Sequence, residues 1–309
     1  MASLSLLTFN TFAILNWDTP FRVAALAAEL AKLKADIVCL QEIHQHLFRR
    51  TITAATPYHV DAIHAPKRGR PRGGLLTLSR LPVVKHHYVP FIEQGRWYHL
   101  EIMDRLLDKG ILVTHYEVAG LPIIVVNTHI IANYAADYAR TGRPALRQQL
   151  QLRQMAEDIK KLPADALVIL VGDFNLPRAS WLYEEFLAES GMEDTLAGDK
   201  RPTYRPLPGV PAHYALPIDF IFVRRPQNVQ LHYASQLCLD QPVRLVGNYH
   251  NFLSDHLGIV SHFTWNSPSA ATTQTARAIH VVPNTVPESV PNSGTDTDAV
   301  NPTNNTPPS

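Results

Sequence analysis

Short apolar runs recur along the chain, and each carries polar side chains at one end. Runs of this length, rich in Val, Ile, Leu and Phe, predict buried β-strands. They are Leu4–Asn10, Asp36–Glu42, Ile123–His129, Ala166–Val171 and Ile218–Val223. In layered α/β folds, strand ends and the loops after them carry the functional groups of hydrolytic sites. We therefore expect the polar ends of these strands to build one site.

Helical patterns lie between the strands. Asp18 and Pro20 predict an N-cap and a first-turn proline for a helix that continues through the Ala- and Leu-rich residues 21–34. A shorter helix over residues 181–189 is predicted to stop at Gly191, because glycine tolerates the left-handed conformation that ends helices. The alternation of strands and helices predicts an α/β fold layered around sheets.

The longest helical pattern covers residues 144–162 and opens with a proline after Gly142. A helix buries residues that recur every three to four positions. The predicted buried face consists of Leu146, Leu150, Ile159 and Leu162.

The composition changes at about residue 267. The chain has 309 residues, of which 46% are hydrophobic and 18% charged, enough to bury a large core. Residues 267–309 instead hold 7 of the 24 prolines and no Phe, Tyr, Trp or Leu. Such a segment buries too little apolar area to offset its ordering entropy. We predict one folded domain over residues 1–266 and a disordered C-terminal tail over residues 267–309.

Charge limits the partners that the chain is suited to bind. Residues 1–266 carry 27 basic and 24 acidic side chains, a net charge of +3. This mild excess argues against avid nonspecific DNA binding, which depends on neutralising many phosphates. The densest basic segment, residues 67–72, is either a solvated loop or a docking site for phosphate or a polyanion.

The sequence also bears on the compartment. Cys39 and Cys238 offer no disulfide framework, and Cys39 lies in an apolar run as a small core residue. The first residues already form a predicted strand, without the basic and apolar regions of a signal peptide. No apolar run reaches transmembrane length. We expect the protein in the cytoplasm, with at most peripheral membrane contact and no obligate protein partner.

Carboxylates, amides and an imidazole stand close to the strand ends. Asp173 and Asn175 follow the strand that ends at Val171, and the alternation of strand side chains points them the same way. A carboxylate and an amide together can hold and orient a water molecule. Asp255 and His256 put a second carboxylate beside a group that titrates near neutral pH. This set suits metal-assisted hydrolysis better than it suits a core.

Further polar positions extend the set at the other strand ends. They are Asn10, Gln41 with Glu42, Asn127 with His129, and Asp219. Glu42 is the best candidate for a metal ligand, because a hard carboxylate at a strand end suits Mg²⁺. Asp219 is a candidate to orient His256 through a hydrogen bond to its imidazole.

In chain order these segments read TFN, QE, NTH, GDFN, IDFIF and SDH. This order resembles the endonuclease/exonuclease/phosphatase superfamily, and the resemblance runs from about residue 4 to residue 262. The superfamily includes deoxyribonuclease-like nucleases, abasic-site endonucleases, inositol phosphatases and neutral sphingomyelinases. The resemblance implies a two-sheet α/β sandwich with the four layers of deoxyribonuclease, and divalent-metal-dependent cleavage of a phosphoester.

The resemblance also implies roles for the polar residues. Asn10 matches the family's metal-adjacent asparagine, so we expect Mg²⁺, with Mn²⁺ as the alternative, at Glu42 and Asn10. Asp173 and Asn175 match the pair that positions the attacking water and the phosphate. His256 matches the catalytic histidine. The sequence leaves open whether Asp173 or His256 takes the proton from the water.

Three other side chains have less specific expected roles. Asp255 is either a metal-side carboxylate or a group that holds a ligand in place. His129 is expected to donate to a phosphate oxygen or to protonate the leaving group. Together with Asn127 and Asn175, His129 would stabilise the charge that develops in the transition state.

Several segments favour a lipid-linked or small phosphodiester, such as sphingomyelin, as the substrate. Residues 127–134, NTHIIANY, are similar to the neutral sphingomyelinase branch, although Ile131 stands where several members carry a second histidine. Lys109 and Gly110 resemble a pair near the site in that branch. A loop that touches lipid is expected to contain Phe91, Trp97 and Tyr98.

Three alternative functions stay open. A nuclease acting on DNA or RNA would need a basic groove and aromatic side chains for the bases. An inositol-phosphate or nucleotide phosphatase would need several basic side chains converging on one pocket. A non-catalytic binding module, which belongs to a different class, would be expected to have lost ligands, and all six segments keep theirs.

Overall fold

The computed structural model of the chain describes residues 1–56, 61–67, 70–95, 106–133, 136–227 and 229–266. Within these residues the elements are β1 Ala2–Asn10, α1 Thr19–Leu33, β2 Ile37–Gln41, α2 His46–Ala55, β3 Asp61–Ile63, β4 Pro66–Lys67, β5 Arg70–Pro71, β6 Leu76–Ser79, β7 Lys85–Pro90, β8 Gly110–Val118, β9 Leu121–His129, α3 Arg143–Lys160, β10 Leu167–Asp173, α4 Trp181–Ser190, β11 Glu193–Asp194, β12 Asp219–Arg224, β13 Leu231–Cys238, β14 Val243–Val246, β15 Tyr249–Asn251 and β16 Gly258–Trp265. The predicted tail and the two candidate lipid-contacting residues Trp97 and Tyr98 lie outside the described residues.

Two six-stranded mixed sheets form the centre of the fold. Their strand orders are β13-β16-β1-β2-β6-β3 and β11-β12-β10-β9-β8-β7. Each sheet has one parallel pair at its centre, β1 with β2 and β10 with β9. The register of these pairs sets Asn10 beside Gln41 and Asp173 beside His129. Polar strand ends therefore meet at one edge of each sheet.

Apolar side chains pack between four layers of secondary structure, which are the two sheets and the helices on their outer faces. Side chains such as Ile169 and Val125 fill the space between the two sheets. Leu30 of α1 packs on the outer face of the first sheet, and Met155 of α3 packs on the outer face of the second. The predicted two-sheet α/β sandwich with four layers is confirmed.

The predicted buried face of the longest helix, α3, is partly wrong. Leu146 and Leu150 are 39% and 52% exposed, whereas Ile159 is buried. The side chains that face the protein in their place are Gln148 and Gln151. The buried face of the helix therefore differs from the predicted one, with Gln148 and Gln151 in place of Leu146 and Leu150.

Backbone groups of the loop after β9 explain this difference. The Gln148 Nε2 donates to the carbonyl oxygens of Ile131, at 3.1 Å, and Asn175, at 2.8 Å. The Gln151 Oε1 accepts the backbone N–H of Ile131 at 2.9 Å. Buried backbone groups need partners, and the two glutamines provide them for a loop that has no sheet neighbour there.

The other helix ends agree with their sequence patterns, with one exception. Ser180 caps α4 by accepting the N–H of Tyr183, and Gly191 ends it with φ of 66°. Asp18 occupies the N-cap position of α1 but makes no capping bond. Its carboxylate instead accepts from the guanidinium of Arg22 at 3.1 Å.

Two observations concern membrane contact. Phe91, a candidate for lipid contact, is buried in the core beneath α3, so this prediction is wrong. Along the described part of the chain, each helix is either too short or too polar to cross a bilayer.

Candidate active site

The facing surfaces of the two sheets are apolar along most of their length and polar at one edge. In β10, Ile169 and Val171 belong to the layer between the sheets, and Asp173 follows on the same face. The period of two in a strand extends this pattern to its neighbours. The polar residues that reach the same edge in this way are Asn10, Gln41, Asn127, His129 and Asp219.

A cavity of about 910 Å³ opens at this edge. Six of the nine predicted site residues line it: Glu42, His129, Asp173, Asn175, Asp255 and His256. Two others, Asn10 and Asp219, lie behind this lining and hydrogen bond to it. The arrangement puts carboxylates, imidazoles and an amide around one space.

His256 is held by a buried carboxylate. Its Nδ1 donates to Oδ2 of Asp219 at 2.9 Å. Its Nε2 lies 3.7 Å from Oδ2 of Asp173 and 4.0 Å from Oδ1 of Asp255. Burial opposes the charged imidazole most strongly, but the three carboxylates together raise the pKa of His256 well above its usual value. His256 is therefore a cation at neutral pH.

Asp173 is placed by the close approach of two strands. The backbone of Gly172 has φ of 145°, and a Cβ there would collide with the carbonyl oxygen of Thr128. Beyond it, Asp173 Oδ2 accepts from Nδ2 of Asn10 at 2.9 Å and Oδ1 accepts the backbone N–H of Asn175 at 2.9 Å. Burial raises the pKa of Asp173 to about 6. Both of its oxygens accept hydrogen bonds.

Glu42 leaves its strand in a left-handed conformation, with φ of 63°. Non-glycine residues in this region are strained and cluster at functional sites. The turn is fixed by Gly74, where a Cβ would lie 2.5 Å from Cε1 of His44. Glu42 Oε1 accepts from Nδ2 of Asn10 at 3.1 Å, so this one amide joins two carboxylates. Burial raises the pKa of Glu42.

Three carboxyl groups of the cavity are buried, and burial disfavours their negative charge. Burial raises the pKa of Asp255 to about 6, as it does for Asp173, and it also raises the pKa of Glu42. A raised carboxyl pKa means that the negative charge is poorly stabilised there. Hard carboxylate oxygens that lack compensation are the donor set that a divalent cation prefers. The chemistry of these carboxylates is therefore compatible with a divalent cation.

A second group of potential ligands is less suitable. Ligand atoms of Asp173, Asp219 and His256 lie within 4.8 Å of one another. Asp219 and His256 are already hydrogen bonded to each other, and a protonated imidazole has no lone pair for a metal.

His129 differs from His256 in its charge state. Its Nε2 lies 3.5 Å from Oδ2 of Asp173. Burial, the largest influence, and the nearby cation of Lys109 lower the pKa of His129 well below its usual value. His129 is thus a neutral imidazole, able to donate from one nitrogen without carrying charge.

Asn127 is not brought to the cavity. Its side chain is fully buried between the sheets, where Oδ1 accepts from Nε2 of Gln41 at 2.8 Å. Its Nδ2 donates to the carbonyl oxygens of Leu40 and Leu76, each at 3.3 Å. These contacts join both sheets beneath the site. They do not place the amide where a substrate binds, so its expected role in charge stabilisation has no geometric support.

Replacing Asn127 with alanine tests this structural role. We expect the free energy of unfolding to fall by about 1–3 kcal/mol, because Gln41 and two carbonyl groups lose a partner. The kcat should fall far less than in Asp173→Asn. Urea unfolding and steady-state kinetics on the same preparation measure both quantities. A catalytic collapse without loss of stability would instead assign Asn127 to the reaction.

Arg22 is a site-building residue that the sequence patterns did not reveal. It is buried, and its guanidinium donates to the carbonyl oxygens of Thr11, Phe12 and Leu253 at 3.3, 3.0 and 3.0 Å. The first two follow Asn10, and the third precedes the Ser-Asp-His segment. A faint sequence signal exists, because Arg22 stands four residues before Leu26 on the buried face of α1.

Two other residues also line the cavity, Lys109, which the sequence resemblance had indicated, and His44. Lys109 is buried, and its Nζ donates to the carbonyl oxygen of Ile130 at 2.7 Å while the residue lines the cavity. His44 also lines the cavity, and burial lowers its pKa to about 4. Of the basic segment, Arg70 reaches the cavity, whereas Arg72 pairs with Asp108 at 2.7 Å.

The fold and the site together define a hydrolytic centre at the edge of a two-sheet sandwich. The sequence profile of the Endonuclease/Exonuclease/phosphatase family matches residues 7–256. The chain therefore belongs to this family, whose enzymes are divalent-metal-dependent phosphodiesterases.

Among curated relatives, a Drosophila melanogaster protein described as a neutral sphingomyelinase is 28% identical over 277 residues. The match covers 84% of this chain and 60% of the fly protein, so the chain spans less than two thirds of that relative.

Three solved structures share the fold. Sphingomyelinase C from Streptomyces griseocarneus has a TM-score of 0.63 and 23% identity, covering 85% of this chain and 99% of that one. A humanized TDP2 of Danio rerio has a TM-score of 0.65 and 19% identity, with coverages of 85% and 99%. Beta toxin of Staphylococcus aureus, solved with bound magnesium ions, has a TM-score of 0.63 and 17% identity, with coverages of 84% and 99%.

Proposed function

We propose that this chain is a Mg²⁺-dependent phosphodiesterase that cleaves a lipid-linked or small phosphodiester, such as sphingomyelin, by in-line attack of water. The observation that carries the proposal is the convergence of Glu42, Asp173, Asp255 and His256 on one cavity. Catalysis of phosphoryl transfer rests on positioning and on stabilising charge, and this set supplies both.

Glu42 is the proposed metal ligand, with Asn10 and Asp255 beside it. When bound, Mg²⁺ would stabilise the negative charge that builds up on the phosphoester oxygens. In the present arrangement Asn10 turns its amide nitrogen towards Glu42 and Asp173. Asn10 therefore orients the two carboxylates. The oxygen atoms that would bind the metal are those of the carboxylates and not the amide oxygen of Asn10.

The charge states favour Asp173 as the proton acceptor. Both oxygens of Asp173 accept hydrogen bonds, from Asn10 and from the backbone N–H of Asn175, as the oxygens of a carboxylate do. His256 is a cation at neutral pH, since its pKa is raised well above the usual value. A cation cannot accept the proton of the attacking water. We infer that Asp173 takes this proton and that His256, held by Asp219, donates a hydrogen bond to the phosphate.

His129 and Asn175 complete the proposed site. A neutral His129 donates to a phosphate oxygen or to the leaving group without repelling Lys109. Asn175 is fixed by its backbone bond to Asp173 and by the bond from Nδ2 to the carbonyl oxygen of Ile130 at 3.2 Å. Its expected contribution is to position the phosphate beside the attacking water.

The walls of the cavity support a small or lipid head group over a nucleic acid. Among the described lining residues, Phe12, Tyr138, Tyr204 and Tyr214 carry phenyl or phenol rings, and the arginine and lysine side chains are Arg70 and Lys109. A nucleic acid strand needs several phosphates neutralised, and a polyphosphate substrate needs several converging cations. Aromatic faces suit an alkylammonium group such as choline.

A substrate panel tests this assignment. We expect higher kcat/KM on sphingomyelin and lysophospholipid than on abasic or plasmid DNA, in one buffer with Mg²⁺. The aromatic walls and the net charge of +3 over residues 1–266 motivate this order. Parallel reactions with EDTA serve as controls. Faster cleavage of either DNA would promote the nuclease alternative, and fast release of phosphate from inositol phosphates or nucleotides would promote the phosphatase alternative. If none of these substrates is turned over, the alternative of a non-catalytic binding module is favoured.

Metal binding should also be visible without turnover. We expect Mg²⁺ at about 100 times its Kd to stabilise chelator-treated protein by about 2.7 kcal/mol. For a chain of this size, that shifts the Tm by about 5–10 °C. The shift should be smaller at pH 5 than at pH 8, because Asp173 and Asp255 have raised pKa values of about 6 and are protonated at the lower pH.

The control for this measurement is Glu42→Gln, which removes one negative charge and keeps the shape. Its Tm should respond weakly to Mg²⁺ at either pH. Calorimetry or dye-monitored melting provides the readout. Equal shifts in wild type and variant would place the metal elsewhere.

A further inference from the structure

Exposed apolar side chains lie at the cavity and beside it. Six residues make up this set, which we call the apolar collar: Ile14, Leu15, Trp17, Leu207, Val210 and Tyr249. Leu15 is 77% exposed and Trp17 62% exposed. Leaving such side chains in water is unfavourable, and contiguous exposed apolar patches mark interaction sites.

The collar is continuous with the cavity. Ile14 and Leu15 on one side, and Val210 on another, line the cavity itself. The rings of Trp17 and Tyr249 lie 5.0 Å apart and extend the collar outwards from Leu15. Any surface that covers the collar therefore also faces the mouth of the site.

The chemistry of the collar favours a lipid surface. Its two main segments, residues 12–17 and 206–218, contain no Asp, Glu, Lys or Arg. A nucleic acid would require cations at this rim, and these segments provide none. Tryptophan and tyrosine sit well at the boundary between acyl chains and head groups, because each has an apolar body and a polar tip.

We propose that the apolar collar seats this protein on a zwitterionic lipid surface, from which the cavity takes its phosphodiester. The collar lies at the opening of the site, so docking would bring a lipid head group to Glu42 and Asp173 without lifting the lipid into water. The choice of substrate source rests on the proposed function, whereas the docking itself does not.

Vesicle binding tests the docking separately from catalysis. The full chain is sedimented with phosphatidylcholine vesicles in EDTA, which prevents metal-dependent turnover. The test variant is Trp17→Asn with Leu207→Asn, two exposed collar residues outside the cavity lining. We expect its Kd for vesicles to rise at least ~10-fold, because each side chain loses apolar burial. Raising the salt concentration should not release the wild type.

The matched control is Val84→Asn. Val84 is 67% exposed and lies beside His115, away from the end of β8 that reaches the site. Its replacement removes an exposed apolar side chain outside the collar and should leave vesicle binding unchanged. The same three proteins are then compared with Mg²⁺ on a vesicle-borne phosphodiester and on soluble bis(p-nitrophenyl) phosphate.

The expected pattern is loss of hydrolysis by the double variant on vesicles and unchanged hydrolysis of the soluble ester. Failure of the wild type to bind vesicles would overturn the proposal, as would equal binding by the double variant. Release by salt would point to charge and also overturn it. A concentration-dependent dimer that the double variant abolishes, without vesicle binding, would assign the collar to a second protein. If vesicles bind but neither ester is cleaved, the proposed function fails and the docking stands.

Discussion

Replacing Glu42 with alanine is expected to abolish Mg²⁺-dependent phosphodiester hydrolysis while the protein stays folded. The loss should be at least ~10³-fold in kcat/KM, the scale of the several kcal/mol that a metal contributes to the transition state. Folding should survive because, within the described part of the chain, the Glu42 side chain makes one hydrogen bond, to Asn10. Its raised pKa also means that burying its charge costs stability in the metal-free protein at neutral pH.

The measurement compares wild type and variant after chelation and return of Mg²⁺. Glu29→Ala provides a control, because Glu29 is paired with Lys32 on the surface of α1 and should not affect turnover. The Tm of metal-free Glu42→Ala should equal or exceed that of the metal-free wild type. Full turnover by the variant would remove Glu42 from the metal site.

His256→Ala and Asp173→Asn should each lower kcat by at least ~10²-fold, the usual contribution of a positioned acid or base. His262→Ala, on an exposed face of β16, is the matched control and should be nearly silent. Neither active-site variant should melt the protein at assay temperature. Near-normal kcat in both would refute the roles assigned to them.

The pH profile of the Asp219→Asn variant distinguishes whether Asp173 or His256 accepts the proton of the attacking water. Asp219 raises the pKa of His256, so removing its charge should lower that pKa towards the usual value. The protonated imidazole is then lost at a lower pH, and the alkaline limb of the kcat profile should move in the acid direction. If His256 were the base, the acid limb would move in the same direction instead. The profile therefore decides which group accepts the proton.

Much of the site was predictable because it depends on local rules. Side chains alternate between the two faces of a strand, so Asp173 and His129 are predicted to lie on the same face as the buried residues two and four positions before them. Parallel neighbours end at the same edge, and this brought strands distant in sequence to one cavity. The motif segments therefore gave the identities of six cavity residues.

The rest depended on contacts between distant segments. The spacing of Leu146 and Leu150 predicted that they lie on the buried face of α3. Gln148 and Gln151 face inwards instead, because they hydrogen bond to backbone groups of distant segments, which the hydrophobic pattern of the helix does not reveal. Asn127 lies on the predicted face of β9, but its amide bonds to groups of the opposite sheet and does not line the cavity. The apolar collar was missed because its residues lie in loops, where hydrophobicity has no period.

Arg22 bears on how the site moves. Its guanidinium joins the loop after Asn10 to the loop before Asp255, and its acceptors in these two loops are backbone carbonyl groups. Neither loop can open without breaking bonds that hold the other, so the two should fluctuate as one cooperative unit. Amide hydrogens on both sides of the cavity would then exchange with solvent at a common rate, although more than 230 residues separate them in sequence.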